Sequence, residues 1–261
     1  MSCLAVIDFE TTGATPAQGA RATEVAICLL EGGRIVDRYA SLMNAGVRIP
    51  SFIIQLTGIT NEMVAAAPPA NAVMREAAAF VGSRPMVAHN AAFDRPFVEA
   101  RLPVFAQQAW NCSFAGINWK TEGNGSAKLE FLASERGWFY DAHRALTDCH
   151  ALLQVLAQPL SDGRTGLRTL VEGAQGTRYK LLATGSPFET KDKLKARGYR
   201  WDGENRAWWC SLPSQEALDT ECQWLRAEVY GGRKARVMLE ALDSQTQFSG
   251  RPGQVSQLVL E

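Results

Sequence analysis

The first half of the chain alternates short apolar runs with amphipathic segments, which is the pattern of an α/β domain. Three successive strands are predicted at its start, with a tight turn at Gly32–Gly33 between the last two. They are the segments LAVIDFE, TEVAICLLEG and IVDRYASLM. Helical segments follow, broken at Pro68–Pro69, then a fourth strand at MVAHN and a closing amphipathic helix at CHALLQVLAQ, which Pro159 ends. The first domain is therefore expected to occupy residues 1–160.

The second half predicts a smaller unit. Residues 161–177 are rich in Gly, Ser and Thr and predict a linker. Residues 178–230 predict a small α+β module of order β-α-β-β-α, with its hairpin turning near Asp202–Gly203. Residues 231–261 are expected to form a C-terminal helix and a flexible tail, because the segment is polar from about Asp243 onward.

Carboxylates interrupt the apolar pattern at separate places. Asp8 and Glu10 lie in the first strand, where residues i and i+2 point to the same face. Asp94 lies where the strand MVAHN gives way to a helical pattern, and His143 and Asp148 lie close to the start of the closing helix. Acids inside an apolar strand cost too much free energy to bury unpaired, and metal cations are the simplest compensation.

These five side chains suit the hydrolysis of phosphodiesters. Two divalent cations can clamp the attacking and leaving oxygens of a phosphodiester, and Mg²⁺ prefers hard oxygen ligands such as carboxylates. A neutral imidazole can take a proton from the attacking water. Taken alone, Asp94 could be a stabilising carboxylate at a helix N-terminus and His143 an ordinary half-buried histidine. Taken together, the three motifs predict a nuclease.

The motifs also resemble a known family. DFETTG, QLTGITNEMV, HNAAFD and HRALTD, spread over about residues 4–157, resemble the DEDDh branch of the 3′–5′ exonucleases, which includes the proofreading subunit of the bacterial replicative polymerase. The resemblance implies a ribonuclease-H-like fold, a mixed sheet flanked by helices. It implies that Asp8, Glu10, Asp94 and Asp148 hold two Mg²⁺ or Mn²⁺ ions, that His143 is the general base, and that 5′-mononucleotides are released from a 3′ end.

The resemblance further implies contacts to the 3′ end of the substrate. The residues concerned are Thr11, Thr12, Gly13, Leu56, His89, Asn90 and Phe93. His89 could instead only support the strand-to-helix turn by hydrogen bonding. DNA is the expected substrate, with trimming of RNA as the alternative, because only contacts to the sugar separate the two. A non-catalytic nucleic-acid-binding protein is a third hypothesis, and the complete set of five motif residues argues against it.

Composition indicates how nucleic acid would be held and in which compartment the protein works. The 27 basic and 27 acidic residues balance, so nucleic acid would be held by metals and a local groove rather than by overall charge. Six scattered cysteines without a CxxC pair indicate reduced thiols in an intracellular protein. The N-terminal apolar run is too short for a signal peptide, and no stretch approaches membrane-spanning length. A cytoplasmic location without membrane contact is expected.

The second unit combines basic and aromatic residues. Between Arg178 and Arg206 there are eight Lys or Arg against four acids, and the segment resembles small GxRWD…WW modules found beside DNA-processing enzymes. This composition is typical of platforms for single-stranded nucleic acid. The alternatives are packing against the first domain, and a core made by the hairpin's aromatic residues, Tyr199, Trp201 and Trp208. Alternation turns Trp209 away from Trp208, which makes Arg200, Arg206 and Trp209 the candidate contacts.

The C-terminal segment QLVLE carries one more motif. Gln257, Leu258 and Leu260 resemble the Gln-Leu-x-Leu peptide by which bacterial replication proteins dock on the sliding clamp. The usual terminal aromatic residue is missing, because Glu261 stands in its place. A sliding clamp is therefore a candidate partner, with chance or simple packing as the alternative explanation of the peptide.

Overall fold

The computed structural model describes residues 3–173 and 176–261. Within these ranges the chain forms two compact units, the first reaching residue 173 and including 248–250, the second comprising 176–247 and 251–261. Among the helices of the described ranges, none is long and apolar enough to cross a membrane.

The first unit is a mixed five-stranded sheet with helices on both faces, which confirms the predicted α/β class. The strand order is β3-β2-β1-β4-β5; β1 pairs with β2 antiparallel and with β4 parallel. The strands are β1 (Leu4–Thr11), β2 (Ala22–Glu31), β3 (Arg34–Leu42), β4 (Met86–Ala88) and β5 (Trp110–Cys112). The helices are α1 (Ser51–Thr57), α2 (Asn61–Ala65), α3 (Ala70–Val81), α4 (Ala91–Glu99), α5 (Ser113–Gly116), α6 (Leu129–Ser134), α7 (Ala145–Ala157) and α8 (Gly166–Gly173).

Strand β1 divides its side chains between two apolar layers. Ile7 and Phe9 pack in the layer that contains residues of α3 and α4. Leu4 and Val6 pack in the other layer, with residues of α6, α7 and α8. Because alternate residues share a face, Asp8 and Glu10 continue the second series at the C-terminal end of the strand.

The predicted linker contains a helix instead. Helix α8 packs into the core of the first unit, where Leu170 is almost fully buried and Leu167 and Val171 pack beside it. These three apolar residues recur at the i, i+3, i+4 spacing of a helix face, and the surrounding Gly, Ser and Thr concealed that pattern. A Cβ on Gly166 would contact Leu156, so glycine permits the close approach of α8 to α7. The first unit therefore extends beyond residue 160.

The second unit is an antiparallel sheet of order β10-β9-β6-β8-β7. Its strands are β6 (Arg178–Ala183), β7 (Arg200–Asp202), β8 (Ala207–Leu212), β9 (Ala235–Leu242) and β10 (Gln254–Leu260), and its α-helices are α9 (Lys191–Ala196) and α10 (Gln215–Trp224). A π-helical turn at Leu225–Val229 extends α10. Leu194, Leu218 and Leu225 pack with apolar strand residues in one core.

Strands β9 and β10 contradict the prediction of a helix and flexible tail over 231–261. Neither segment has a strict alternation of polar and apolar residues, and the polar loop between them concealed the pairing. Leu258 and Leu260, from the clamp-like peptide, face the core opposite Val237 and Ala235 of β9, and Leu260 is buried. Gln257 pairs with Met238 in the same ladder. The premise of clamp docking, a peptide on a mobile tail, is therefore wrong.

Candidate active site

The predicted catalytic residues lie around one cleft. Asp8 and Glu10 from β1 and Asp148 from the first turn of α7 each offer an oxygen within 4.8 Å of the other two. Asp94 from α4 and His143, which precedes α7, line the same cleft. The cleft has a volume of about 740 Å³. All five side chains named from the sequence motifs are thus brought together.

The local backbone explains how distant segments reach this point. Strand β4 runs parallel to β1, so the C-terminal ends of both strands lie at one edge of the sheet, where sites in α/β folds collect. Asn90 joins β4 to α4 with a left-handed φ of 72°, a conformation that asparagine tolerates better than most residues. The turn places Asp94 in the first turn of α4.

Burial makes the acidic cluster unfavourable without counterions. Burial is the main cause that raises the pKa of Asp8, with added repulsion from Asp94 and Asp148. Burial, followed by repulsion from Asp148, raises the pKa of Glu10 from its ordinary 4.5 to about 8. Burial also raises the pKa values of Asp94 and Asp148. Ionising all four groups therefore costs free energy that bound cations would recover.

Asp94 fits a metal ligand in a further respect. Its side chain is almost fully buried, and among the described residues no hydrogen-bond partner reaches its Oδ2. A buried carboxylate oxygen without a partner is rare in proteins unless an ion or water satisfies it. Hard oxygen donors are the ligands that Mg²⁺ and Mn²⁺ prefer, so the donor set fits divalent cations of this class.

The N-terminus of α7 is fixed by contacts that sequence reasoning missed. Arg144 donates to Glu24 through Nε at 3.2 Å and Nη2 at 2.8 Å, and the backbone N–H of Ala145 donates to Glu24 at 3.0 Å. The backbone N–H of Arg144 and the hydroxyl of Tyr140 donate to the two oxygens of Asp148, at 3.0 and 3.1 Å. The position of Arg144 inside the HRALTD motif was the available signal.

His143 adopts an uncommon backbone conformation beside the cluster. Its φ is 65°, in the left-handed region that costs a non-glycine residue free energy. The side chain is 39% exposed, and its Nε2 lies 3.8 Å from Oε1 of Glu130. The imidazole therefore lines the cleft while its Nε2 stays beside the Glu130 carboxylate.

Most of the predicted substrate contacts line the cleft, with one exception. Six of the seven residues are at its surface: Thr11, Gly13, Leu56, His89, Asn90 and Phe93. Thr12 is not, because its N–H donates to the carbonyl of Arg21 at 2.8 Å and its Oγ1 accepts from the Arg21 N–H at 3.0 Å. The side chain of Thr12 therefore closes the loop after β1 and does not face a substrate.

His89 is held at the base of the cleft. Its Nδ1 lies 2.8 Å from Oγ of Ser113, and its ring meets the edge of Phe114. Burial lowers the pKa of His89 to about 4, so the ring is neutral near neutral pH. The contact to Ser113 fits the alternative that His89 supports the strand-to-helix turn. His89 also lines the cleft, so contact with substrate remains open to it.

Apolar side chains around the cleft were only partly expected. Phe52 and Leu56 lie one turn apart on α1 and are 64% and 50% exposed. Phe114 contributes a further ring that is 42% exposed. Apolar side chains this exposed commonly mark a binding surface. Of these three residues only Leu56 was named from the sequence, because helix α1 was not predicted in the segment SFIIQLT.

Similarity to known proteins covers the same region. A family model described as exonuclease matches residues 5–156. The 3′-5′ exonuclease DinG of Bacillus subtilis is 39% identical over 107 residues, which is 41% of this chain and 12% of that protein. DNA polymerase III PolC-type of Clostridium perfringens is 31% identical over 155 residues, 58% of this chain and 11% of that protein. The chain thus spans only a small part of the length of these relatives.

The fold is shared with a solved exonuclease. Exonuclease I of E. coli in complex with a dT13 oligonucleotide matches with a TM-score of 0.57 at 14% identity, over 71% of this chain and 49% of that chain. At this identity the match supports the ribonuclease-H-like fold alone. The family model spans more than half of the chain and includes all the motifs that carry the acids and the histidine. The chain therefore belongs to the exonuclease family, in its DEDDh 3′–5′ branch.

Proposed function

We propose that this protein is a divalent-metal-dependent 3′–5′ exonuclease that releases 5′-mononucleotides from DNA 3′ ends. One observation carries the proposal: four carboxylates converge on one cleft, and Arg144, a basic residue near Glu10, is engaged by Glu24. Such a cluster of carboxylates destabilises the metal-free fold but can bind cations. Phosphodiester hydrolysis requires such cations, because the substrate repels an anionic nucleophile.

Asp8, Glu10, Asp94 and Asp148 would hold two Mg²⁺ or Mn²⁺ ions. Bound there, the ions would neutralise charge on the scissile phosphate and on the leaving oxygen. Hydrogen bonds from Tyr140 and from the backbone of Arg144 orient Asp148 before any ion arrives. This preorganisation reduces the rearrangement that metal binding would otherwise require.

His143 would act as the general base. Its imidazole would accept a proton from the attacking water. The Nε2 atom lies 3.8 Å from Oε1 of Glu130. The left-handed backbone of His143 is maintained on its C-terminal side by Arg144 and Ala145, which are both bonded to Glu24. The loop thus holds the imidazole beside the acidic cluster.

The apolar rim of the cleft supports binding of a strand end. Phe52, Leu56, Phe93 and Phe114 surround the acidic floor, so a terminal base can contact rings while its phosphate faces the acids. DNA is the proposed polymer, because the relative DNA polymerase III PolC-type is named as a DNA-synthesising enzyme. RNA trimming would use the same chemistry on a different sugar.

Matched oligonucleotides labelled at the 3′ or the 5′ end test the proposal. DNA and RNA versions are incubated with the protein in Mg²⁺, in Mn²⁺ and in EDTA, and the products are separated by size. The expected result is metal-dependent release of mononucleotides from 3′ ends, faster on DNA. Faster release from RNA would assign the alternative substrate, and no cleavage of either polymer in either metal would contradict the proposed activity.

A further inference from the structure

The β7–β8 hairpin at the edge of the second unit's sheet carries an unusually exposed aromatic residue. Trp201 on β7, the outermost strand, pairs with Trp208 of β8 and shares its face of the sheet. Tyr199 is buried and Trp208 packs against the core, but Trp201 is 54% exposed. The expectation that all three rings could form the core is therefore wrong for Trp201. A large indole this exposed has a surface free for another ring.

Cations surround the hairpin on both faces. On the core side, Nζ of Lys195 lies 5.7 Å from the ring centroid of Trp208. On the opposite face, Nζ of Lys180 lies 5.1 Å and Cζ of Arg200 lies 6.0 Å from the ring centroid of Trp209. Lys195 and Arg200 are exposed. Their charges therefore face solvent next to aromatic rings.

Asp202, one of the two acids of the hairpin, is engaged by the turn and by Lys180. Asp202 accepts hydrogen bonds from the backbone N–H groups of Glu204 and Asn205, at 3.0 Å each, and from Nδ2 of Asn205 at 2.9 Å. These bonds hold the turn, and Asp202 also lies 3.6 Å from Nζ of Lys180. Arg206, at the far end of the turn, adds a further exposed cation. The hairpin edge is consequently both aromatic and basic.

We propose that this edge binds single-stranded nucleic acid that passes around strand β7. One base would stack on Trp201 on one face of the sheet and a second on Trp209 on the other face, with phosphates near Lys195 and Arg200. Stacking rings interleaved with cations suit a strand whose bases have free faces, whereas the bases of a duplex are already stacked on one another. This function is additional to cleavage and does not depend on the active site being catalytic.

The two tryptophans should contribute unequally. Trp209 is half-buried and already has the cations of Lys180 and Arg200 over its ring. Trp201 leaves more of its ring to solvent. A base can therefore stack on Trp201 with less rearrangement, and its loss should have the larger effect.

Fluorescence anisotropy of the full chain in EDTA measures binding without cleavage. The probes are 5′-labelled oligo-dT and oligo-U of about 15 nucleotides, which distinguish DNA from RNA as the bound strand. We expect Trp201→Leu to raise Kd about tenfold, Trp209→Leu to raise it less, and Trp201→Phe to change it little, because a ring is retained. Arg226→Gln, an exposed arginine of the same unit outside the hairpin, is the charge control.

Two further measurements keep the test decisive. If Trp201→Leu melts without cooperativity, the double variant Lys195→Gln/Arg200→Gln replaces it, and the slope of log Kd against log salt should become shallower. Ultraviolet crosslinking with 5-iodouracil oligonucleotides should label the hairpin at residues 200–212. Unchanged affinity in both variants, crosslinks confined to the first unit, or duplex bound as tightly as single strand would overturn the proposal.

Discussion

The two units bury acids in opposite ways. In the second unit, Glu221 is 7% exposed and is fully engaged, accepting from Nε and Nη2 of Arg197 at 3.0–3.2 Å and from the Tyr199 hydroxyl at 3.1 Å. In the first unit, Glu10 is 8% exposed and Asp94 is 1% exposed, and burial raises the pKa of each. Protein partners offset the cost of burying Glu221, whereas the cost of burying Glu10 and Asp94 is not offset in this way.

Glu24 shows that the presence of protein partners depends on the role of a buried acid and not on the unit that contains it. It is buried in the first unit, directly opposite Glu10 in the β1–β2 register, yet it is bonded to Arg144 and Ala145. Adjacent positions of one sheet thus hold a compensated acid that supports a helix and an uncompensated acid at the cleft. A buried acid without a protein partner indicates function more reliably than burial or charge alone.

The largest expected effect is on catalysis. Asp8→Asn should lower the rate of mononucleotide release by about three orders of magnitude or more, because it weakens metal-assisted charge stabilisation at the phosphate. Single-turnover assays in Mg²⁺ measure the change. Glu31→Gln, which alters an exposed acid at the end of β2, is the control and should retain activity. If Asp8→Asn retained a rate near that of the unaltered protein, the acidic cluster would not be the catalytic metal site.

The general base should contribute a smaller factor. His143→Ala is expected to slow the chemical step roughly 10²–10⁴-fold, the usual size of a proton-transfer contribution. His150→Ala, which alters the histidine within α7, is the matched control. If the two variants have equal rates, another group activates the water.

Replacing Glu24 should lower the rate by less than replacing His143, because Glu24 acts only by positioning the N-terminus of α7. Glu24→Gln keeps an acceptor for the Ala145 N–H but loses the ion pair to Arg144. We expect kcat to fall about tenfold with KM nearly unchanged, since a bond that orients a catalytic group is typically worth about 1.5 kcal/mol. Steady-state kinetics separate the two constants, and a change confined to KM would place Glu24 in substrate binding instead.

Stability should respond with opposite signs in the two units. The folded pKa of Glu10 is about 8 against an ordinary 4.5, so the folded state keeps a proton that the unfolded state releases between these values. The free energy of unfolding of the metal-free first unit should therefore fall as pH rises from about 4.5 to 8. Glu10→Gln should raise Tm at pH 8 by about 4 °C, whereas Glu221→Gln should lower the Tm of the second unit.

Thermal melts at pH 5 and pH 8 in EDTA measure these shifts. At pH 5 the gain from Glu10→Gln should shrink, because Glu10 is largely protonated in the folded protein there. Destabilisation by Glu10→Gln at pH 8 would mean that the carboxylate is compensated after all.

The sequence predicted the parts of the site that lie on regular elements. Alternation along β1 put Asp8 and Glu10 on one face and Phe9 in the core, as the structure has them. The breaks at Pro68–Pro69 and after MVAHN marked the helices on either side of β4 correctly. Local periodicity carries this information because each element buries one face.

What depends on contacts between distant segments was missed. The engagement of Glu24 by Arg144 joins residues 120 positions apart, and nothing local distinguishes Glu24 from Glu10. Helix α8 has only eight residues, and strands β9 and β10 are joined by a polar loop, so nothing local marked the partners they pack on. A core position for Trp201 stayed open as an alternative, because composition does not reveal that its strand lies at the sheet edge.

Metal stoichiometry tests the central claim most directly. Mn²⁺ binding is titrated at pH 7.5 by electron paramagnetic resonance, in the presence of a nucleoside 5′-monophosphate as the product. The unaltered protein should bind two ions per chain, Asp94→Asn at most one, and Glu221→Gln still two. No stoichiometric binding by the unaltered protein, or an unchanged stoichiometry in Asp94→Asn, would contradict the assignment of the uncompensated acids to a two-metal site.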